Sequence, residues 1–271
     1  MLLGPEETFV RAYHARHPGV TARAFAHGRG PDGRSTYQIL RDLAGHGPVL
    51  DLGCGDGYLL ELLAGAGHAR LVGVDLSEAE LAAARRRRSL AGALLIQARA
   101  QALPLASGCF GACVSHLAFM LMADIEAVTA ELARVLAPGG RFATVVGGAP
   151  AADDAFELFL RAVVPVVDSL PAAHRSPRLG DKRTRYREGL DELLGPVGFG
   201  AVTFEGLVID LGGPVDAVWA TLSTIYELHA VSPAGLAAIK ESFEAEVDAL
   251  ARPDGTVPCT MRVGVAVAER R

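Results

Sequence analysis

The sequence is poor in aromatic residues and in cysteine, and it has no excess of basic residues. Aromatic residues make up 6% of the 271 positions, four positions are cysteine, and 26 Lys and Arg stand against 31 Asp and Glu, for a formal net charge of −5. The four cysteines form no C-x-x-C pair and have no histidine at zinc-finger spacing, so we expect reduced thiols that pack as small apolar side chains. The acidic balance argues against a general nucleic-acid binder, which needs a basic surface to attract phosphates.

The sequence also lacks a convincing membrane segment, although its mean hydropathy of +0.27 is high. Residues 100–123 contain no charged side chain, but Pro104 and Gly108 interrupt them, so we expect a turn, a buried strand and a second turn there. Glu6 and Glu7 stand in the N-terminal region, where a signal sequence would have basic residues followed by an apolar run. We expect a cytoplasmic protein with no membrane partner.

The periodicity of the sequence predicts one α/β domain. The length suits a single large domain, and half of the residues are hydrophobic, enough to bury a full core. Apolar runs of strand length alternate with helical patterns across short joints, which is typical of a parallel sheet. Ser77 and Glu80 predict a capping box at the start of the helix after the second strand. The predicted strands are residues 48–52, 70–76, 94–98, 113–115, 141–146, 201–211 and 261–268.

A glycine cluster follows the first predicted strand and leads directly into a helix. The strand ends at Leu52, and the next residues are Gly53-Cys54-Gly55-Asp56-Gly57. Glycines let a ligand approach the main chain closely, and a helix N-terminus favours negative charge. Asp75 stands at the tip of the second strand, next door in a doubly wound sheet, where a carboxylate can accept both hydroxyls of a ribose. The two strand ends together predict a nucleoside site.

The cluster departs from the patterns of dinucleotide and phosphate-loop sites. Tyr58 occupies the position of the third glycine of G-x-G-x-x-G, where it would crowd the packing of helix on strand, and the pattern G-x-x-x-x-G-K-[ST] is absent. Asp51 and Asp56 flank the turn, and carboxylates there repel a pyrophosphate but suit an ammonium or a sulfonium. The charges therefore favour a cationic nucleoside.

Two runs of residues resemble the class I S-adenosylmethionine-dependent methyltransferases: residues 49–57 and residues 73–77. Residues 103–105 and 136–142 are similar to later landmarks of the small-molecule branch that includes the ubiquinone and menaquinone C-methyltransferases. The resemblance is good over residues 48–146 and looser beyond them. It implies a Rossmann-like α/β fold with a seven-stranded, mostly parallel sheet, an antiparallel last strand, helices on both faces and helical lid insertions.

The resemblance also divides the single domain, residues 1–271, into parts. It implies a helical N-terminal cap, a cofactor-binding core, two lid insertions and the C-terminal strands of the core. In the same order, these parts are residues 1–46, residues 47–147, residues 148–190 and 213–258, and residues 191–212 and 259–271.

S-adenosylmethionine is the cofactor that the resemblance implies, and it assigns contacts at the methionine end. Asp51, Gly53 and Gly55 would line the methionine part, while Ser115 and His116 would lie beneath the sulfonium. Tyr13, His14 and His17 of the N-terminal cap would cap the cofactor or face the methyl acceptor. The full expected set of cofactor contacts is Asp51, Gly53, Gly55, Asp75, Leu76, Ala100, Gln101, Ser115 and Tyr13.

At the nucleoside end the resemblance assigns the ribose hydroxyls to Asp75 and the adenine face to Leu76. Ala100 and Gln101 would hold the adenine edge. In relatives an Asp commonly precedes them and accepts from the adenine amino group, but Arg99 stands here. Either main-chain groups or Gln101 replace that bond, or adenine is held less specifically.

Candidates for a general base are two histidines. His116 is the first, because a neutral imidazole is suited to proton transfer near pH 7; packing or hydrogen bonding under the cofactor is its alternative. His14 is the second. Methyl transfer is an in-line displacement that depends mainly on alignment, so a base is needed only when the acceptor must lose a proton. His229 would line an acceptor pocket or pack in the core.

The fourth strand ends in Ser-His-Leu-Ala-Phe at residues 115–119, unlike the Asn/Asp-Pro-Pro-Tyr of N-methyltransferases that act on adenine or glutamine. It offers no carboxylates for a divalent metal, so we expect metal-independent transfer to a small, partly apolar acceptor and no nucleic-acid partner. The sequence does not indicate an oligomeric state. The lid side chains expected to close over the acceptor are Phe156, Leu158, Phe159, Trp219, Ile225 and Tyr226.

Two arginine clusters can be explained as solvated surface residues. Residues 85–88 spread around a helix axis and form no single basic face, so we expect a solvated helix end. Residues 175–187 lie in the first insertion and would either hold an acidic acceptor or form a solvated loop.

Two other functions remain open at this point. The same scaffold can use the charge of the bound cofactor to accelerate a cyclisation or rearrangement without methyl transfer. The second alternative is a module that binds the cofactor without catalysis, and Arg99 is the only residue that supports it.

Overall fold

The parallel part of the sheet is built from five strands. The computed structural model describes residues 3–271. All four residues of β1 are buried, as expected for a strand that is covered on both faces. In the order β3-β2-β1-β4-β5, these neighbours are parallel. The strands are β1 (Val49–Leu52), β2 (Leu71–Asp75), β3 (Leu94–Gln97), β4 (Phe110–His116) and β5 (Leu136–Pro150).

Two later strands complete the sheet. β6 (Thr203–Asp210) lies at the edge, and β9 (Thr260–Glu269) inserts between β5 and β6, antiparallel to both. The predicted seven-stranded sheet with an antiparallel last strand is thereby confirmed. The short strands β7 (Gly213–Pro214) and β8 (Thr256–Val257) form a separate antiparallel pair.

Helices cover both faces of the sheet, as predicted. One core packs α3, α4, α5, α7, α9 and α10 against one face, and the other packs α6 and α8 against the opposite face. Adjacent residues of β1 and β4 alternate between the two cores, because successive side chains of a strand point to opposite faces. The helices are α1 (Pro5–Arg16), α2 (Val20–Phe25), α3 (Thr36–Leu43), α4 (Tyr58–Gly65), α5 (Glu78–Ala84), α6 (Ile125–Val135), α7 (Ala155–Ser169), α8 (Arg187–Leu194), α9 (Val215–Leu222) and α10 (Pro233–Val247).

The stretch without charged side chains, residues 100–123, forms turns on either side of β4, as predicted. Within residues 3–271, no helix is both long and apolar enough to cross a membrane.

Candidate functional site

A cleft opens at the carboxyl ends of β1, β2 and β4. Its empty space, with the open solvent at the mouth included, is about 1050 Å³. The glycine turn after β1, the ends of β2 and β3 and the loop after β4 form its floor and sides. Residues of helix α1 and Tyr226 also line it.

The glycine turn is held tightly against β2 and the loop after β4. The Gly53 and Cys54 amides both donate to the Val74 carbonyl, at 2.8 and 3.0 Å. Gly53 has a φ of +76°, and a Cβ built on it would lie 2.4 Å from the Ala118 Cβ. A side chain cannot fit there, so the main chain itself forms the cleft wall at this point.

Asp75 connects the turn to β2. Its Oδ2 accepts from the Gly55 amide and its Oδ1 from the Ser77 amide, both at 2.8 Å. Burial raises the pKa of Asp75 above its ordinary value, and the two main-chain donors act in the opposite direction. The carboxylate is fixed in the cleft wall, in the place that the sequence predicted.

Asp51 is the most deeply buried acid of the cleft, at 1% exposed. Burial, and then the charges of Asp75 and Asp56, raise its pKa well above the ordinary value. Its Oδ2 has no hydrogen-bond partner. A buried carboxylate oxygen without a partner is costly, and a cationic ligand would supply the missing charge and donor.

Acidic side chains dominate the lining. The only Lys or Arg among the described lining residues is Arg99, and its Nε donates to Glu7 Oε1 of α1 at 2.7 Å. Asp56 pairs with Arg87 from outside the lining, so among the described residues Asp51 and Asp75 are the acids at the glycine turn without an ion-pair partner, which favours a cation. The acidic residues of the lining are Glu7, Asp51, Asp56, Asp75 and Glu80.

Leu76, Ala100 and Gln101 lie together in the wall, as the sequence predicted. The Gln101 Nε2 donates to the Ala123 carbonyl at 2.6 Å. Its Oε1 is shielded from solvent and has no partner.

His116 lines the cleft but does not have the predicted acid–base character. The ring is 6% exposed, stacks on Tyr37 with centroids 3.6 Å apart, and shares a 2.8 Å hydrogen bond between Nε2 and Thr36 Oγ1. Burial lowers the pKa of His116 to about 3, which contradicts the expectation that it titrates near pH 7. Such an imidazole is neutral at pH 7 and accepts a proton poorly. A catalytic role for His116 stays a prediction.

His14 joins three parts of the chain above the glycine turn. Its Nδ1 lies 2.8 Å from Glu80 Oε1, and its Nε2 lies 2.9 Å from the Tyr226 hydroxyl. Glu80 is 2% exposed, and its Oε2 accepts from the Gly19 amide at 2.7 Å. The Ser77 hydroxyl does accept from the Glu80 amide, but the predicted second half of the capping box is wrong, because the Glu80 side chain turns to α1.

Two expected cofactor contacts lie outside the lining. The Ser115 hydroxyl donates to the Leu52 carbonyl at 2.7 Å and accepts from the Phe119 amide at 3.1 Å. The Tyr13 hydroxyl donates to the Thr224 carbonyl at 2.6 Å. Both hydroxyls are therefore engaged with the protein main chain, and neither residue belongs to the described cleft wall. The structure corrects these two expectations.

The aromatic side chains of the insertions also differ from expectation. Phe159 packs edge-on against Trp219, with centroids 5.8 Å apart, and against Phe243, in the core between α7, α9 and α10. His229 packs edge-on against Phe9 at 4.8 Å. Of the six lid side chains expected over the acceptor, only Tyr226 lines the cleft in the described chain.

The two arginine clusters are partly structural. Arg87, expected to be solvated, donates to the Asp56 carbonyl at 2.6 Å and pairs with the carboxylates of Asp56 and Glu61. In the second cluster, Arg183 pairs with three carboxylates: Asp181, Glu126 and Glu192.

The lining residues that sequence reasoning missed include Glu7, Tyr37 and Glu80. Glu7 had a readable signal, because it shares a helical spacing with Val10 and His14, which also line the cleft. The contact between Tyr226 and His14 had no local signal, since the two residues are 212 positions apart in the sequence. In the described range, residues 3–271, no cluster of three or more His, Cys, Asp or Glu is arranged to hold a metal ion.

Comparisons with known proteins agree with this geometry. The family profile of a methyltransferase domain matches residues 50–144. The demethylmenaquinone methyltransferase of Thermus thermophilus is 40% identical over 116 residues, which are 42% of this chain and 52% of that protein. The chain thus matches about half of the length of this relative.

Solved structures share the fold over nearly the whole chain. The [4+2]-cyclase SpnF has a TM-score of 0.60 at 19% identity, over 99% of this chain and 98% of that one. The phosphoethanolamine N-methyltransferase 2 of Haemonchus contortus, solved with phosphomonomethylethanolamine and S-adenosylhomocysteine, has a TM-score of 0.59 at 17% identity, over 99% of this chain and 60% of that one. The chain therefore carries a methyltransferase domain over residues 50–144, and it shares the fold of these two solved enzymes over nearly its whole length.

Proposed function

We propose that the protein transfers the methyl group of S-adenosylmethionine to a small, partly apolar acceptor without a metal ion. The observation that carries the proposal is the unpaired, buried Asp51 carboxylate beside the glycine turn, in a cleft lined by five acidic side chains. Such a cleft suits a nucleoside with an ammonium and a sulfonium and disfavours a pyrophosphate.

The described residues fit this cofactor. Asp51 would hold the ammonium, the main chain at Gly53 and Gly55 would border the methionine part, and Asp75 would accept from the ribose hydroxyls. The cofactor supplies a methyl group on a positively charged sulfur, which is reactive enough for direct displacement. Binding of S-adenosylhomocysteine by a structural neighbour supports the assignment.

The chain's own contribution to the reaction is alignment and exclusion of water. Helix α1 and Tyr226 cover the glycine turn, and the neutral His116 ring packs in the cleft wall without adding charge. Where the acceptor has to lose a proton, His14 is the better placed of the two histidines. The Glu80 carboxylate beside its Nδ1 orients the ring and favours the tautomer in which Nε2 is the acceptor, facing the Tyr226 hydroxyl.

The acceptor class rests on the chemistry of the cleft and on relatives. The curated relative acts, by its name, on demethylmenaquinone, and this supports a small-molecule acceptor over a nucleic acid. The proposal keeps the cytoplasmic location expected from the sequence, which fractionation of the source cells would check.

The first test is binding of S-adenosylhomocysteine by calorimetry, with NAD⁺ as the control ligand. We expect a one-to-one complex with S-adenosylhomocysteine and no measurable heat with NAD⁺. Absence of S-adenosylhomocysteine binding at millimolar concentration would reject the assigned cofactor and with it the proposed reaction.

The second test separates methyl transfer from the cyclase alternative, which the fold of SpnF shares. Purified protein and labelled S-adenosylmethionine are incubated with cell extract that supplies acceptors. We expect labelled methylated product and S-adenosylhomocysteine in equal amounts. Conversion of an acceptor with the cofactor unchanged would support the cyclase instead.

A further inference from the structure

Tyr37 of α3 stands between the end of β4 and the glycine turn. Its ring stacks on His116, the last residue of β4, with centroids 3.6 Å apart, and meets the ring of Tyr58, the first residue of α4, edge-on at 4.9 Å. The residue is 4% exposed and lines the cleft. Since the sulfonium is expected above His116, Tyr37 would lie at the reacting end of the cofactor and not at its adenine.

The Tyr37 hydroxyl is a polar group that the protein leaves open to the cleft. Within residues 3–271 it forms no hydrogen bond, and it is not one of the unpartnered polar atoms that are shielded from solvent. Burial, and then the charges of Asp56 and Asp51, raise the pKa of Tyr37 well above its ordinary value, so the hydroxyl keeps its proton near pH 7. It can therefore donate a hydrogen bond to a ligand and accept one from it.

The N-terminal cap, and not the first insertion, provides the walls that an acceptor would meet. Uncharged side chains of α1 and α2 line the cleft at Val10, Thr21 and Ala22, whereas no lining residue of the described chain falls between residues 124 and 225. The first insertion is packed against the loop after β4 instead. A Cβ built on Gly180 would lie 1.9 Å from the Met120 carbonyl oxygen, so the two segments are in direct main-chain contact.

The charges of the lining leave none for an acceptor. Three of its five carboxylates have a basic partner, and the other two, Asp51 and Asp75, are assigned to the ammonium and the ribose of the cofactor. The three pairs are Glu7–Arg99, Asp56–Arg87 and Glu80–His14. An anionic acceptor would find no free Lys or Arg in the described lining, and a cationic acceptor would find no free carboxylate. Moving a charge into a cleft without a partner is costly.

We propose that the acceptor is an uncharged molecule that binds between the N-terminal cap and the end of β4, with its polar group hydrogen-bonded to the Tyr37 hydroxyl. The inference rests on the proposed function and extends it to the chemical class of the acceptor. Neutral hydroxyl and carbonyl compounds meet both conditions. Carboxylates, phosphate esters and protonated amines do not.

The first experiment sorts acceptors by charge. The small molecules of a cell extract are separated by ion exchange at pH 7 into anionic, cationic and neutral fractions, and each fraction is incubated with the protein and labelled S-adenosylmethionine. We expect label transfer to be at least about tenfold faster with the neutral fraction. Faster transfer with either charged fraction would overturn the inference.

Tyr37→Phe tests the hydroxyl. We expect the rate of label transfer to fall about fivefold when the neutral fraction is limiting, because one hydrogen bond to the acceptor is lost. The affinity for S-adenosylhomocysteine should stay within about twofold. The melting temperature should not fall, because the hydroxyl has no partner in the described protein. Tyr186→Phe is the matched control: Tyr186 is 46% exposed and outside the cleft lining, and its substitution should change none of the three quantities.

The outcomes separate the two proposals. Failure to bind S-adenosylhomocysteine, or no label transfer with any fraction, rejects the proposed function. Transfer to a charged fraction, or an unchanged rate in Tyr37→Phe, rejects the uncharged acceptor at Tyr37 and leaves the proposed function standing. A fall in S-adenosylhomocysteine affinity equal to the fall in rate would assign the hydroxyl to the cofactor, and a lower melting temperature would assign it to the protein; either result also rejects the inference.

Discussion

The buried Asp51 carboxyl group lowers the stability of the ligand-free protein, and we propose that the same group binds the ligand. Its pKa is raised by burial and by neighbouring carboxylates, so the folded protein holds this proton more tightly than the unfolded chain. Stability of the ligand-free protein therefore falls as the pH rises above the ordinary Asp value of 3.8.

Asp51→Asn should remove this penalty at pH 7. We expect the free energy of unfolding to rise by about 1 kcal/mol, the size of a typical stabilising change, and the affinity for S-adenosylhomocysteine to fall about tenfold. Urea unfolding and calorimetry at pH 7 measure the two effects. A variant that is less stable and binds as well as the wild type would contradict both the charge penalty and the ammonium site.

His116 makes the opposite contribution to pH dependence. Its pKa is about 3 in the folded protein, against 6.5 ordinarily. Between these two pH values the unfolded chain binds a proton at this residue and the folded protein does not. The stability that this group gives is complete above pH 6.5 and is lost as the pH falls toward 3.

Between pH 7.5 and pH 5, the loss from His116 should be about 2 kcal/mol. The measurement is the change in unfolding free energy between these two pH values, in the wild type and in His116→Gln. We expect the wild type to lose about 2 kcal/mol more than the variant. Equal losses would show that the buried imidazole takes up its proton in the folded state.

Asp75 has a structural role in addition to its expected contact with the ribose. It accepts from the amides of Gly55 and Ser77, so Asp75→Ala would leave two main-chain donors without a partner. Asp75→Asn keeps an acceptor oxygen and is the better probe of binding.

We expect Asp75→Asn to weaken S-adenosylhomocysteine binding about tenfold or more with a small change in melting temperature. Asp75→Ala should also lower the free energy of unfolding, by about 1–3 kcal/mol. Calorimetry and thermal melting provide the readouts. Unchanged affinity in Asp75→Asn would remove Asp75 from the binding site.

At the scale of elements, Arg87 holds the end of α5 against the glycine turn and α4. It bonds the Asp56 carbonyl and pairs with Asp56 and Glu61, whereas the neighbouring Arg86 is exposed. Arg87→Met should lower the unfolding free energy by about 1–2 kcal/mol. Arg86→Met should change it by less than about 0.5 kcal/mol. Similar melting temperatures for the two variants would show that the Arg87 contacts contribute nothing.

The elements themselves were largely predictable from the sequence. The predicted first strand, residues 48–52, is β1 to within one residue, because a short apolar run before a glycine turn is a local pattern. Helix α6 ends at Val135. Residues 138–140 lie in the irregular start of β5, where the pairing with β4 shifts register.

The side-chain partners were not predictable, because they depend on segments that are far apart in sequence. The Tyr13 hydroxyl bonds Thr224, 211 residues away, and Ser115 bonds Leu52, 63 residues away. Both were expected at the cofactor. Asp51, Gly53, Gly55 and Asp75 were correctly placed in the cleft wall, because their positions follow from adjacent parallel strands alone.

At the scale of the whole molecule, α1 and the 3₁₀ turn Tyr226–Ala230 form a cover over the cleft. His14 connects both to α5 through Glu80 and Tyr226. A ligand that binds beneath these segments should stabilise them in the arrangement described here.

Hydrogen exchange with and without S-adenosylhomocysteine tests the cover. We expect amide exchange to slow about tenfold or more in α1 and in residues 226–230 as well as in the glycine turn. Helix α8, which packs on the opposite face, is the internal control and should show little change. Protection confined to the glycine turn would mean that the cover does not respond to the ligand.

The acidic lining of the cleft also affects how the spent cofactor is released. In the proposed reaction, the sulfur of the spent cofactor becomes a neutral thioether once the methyl group has left, and the acidic lining loses one of the charges that it attracts. Fresh cofactor, still cationic, is then the preferred occupant. The exchange of spent cofactor for fresh cofactor would therefore be driven by charge, and the sheet that carries the site would not need to rearrange.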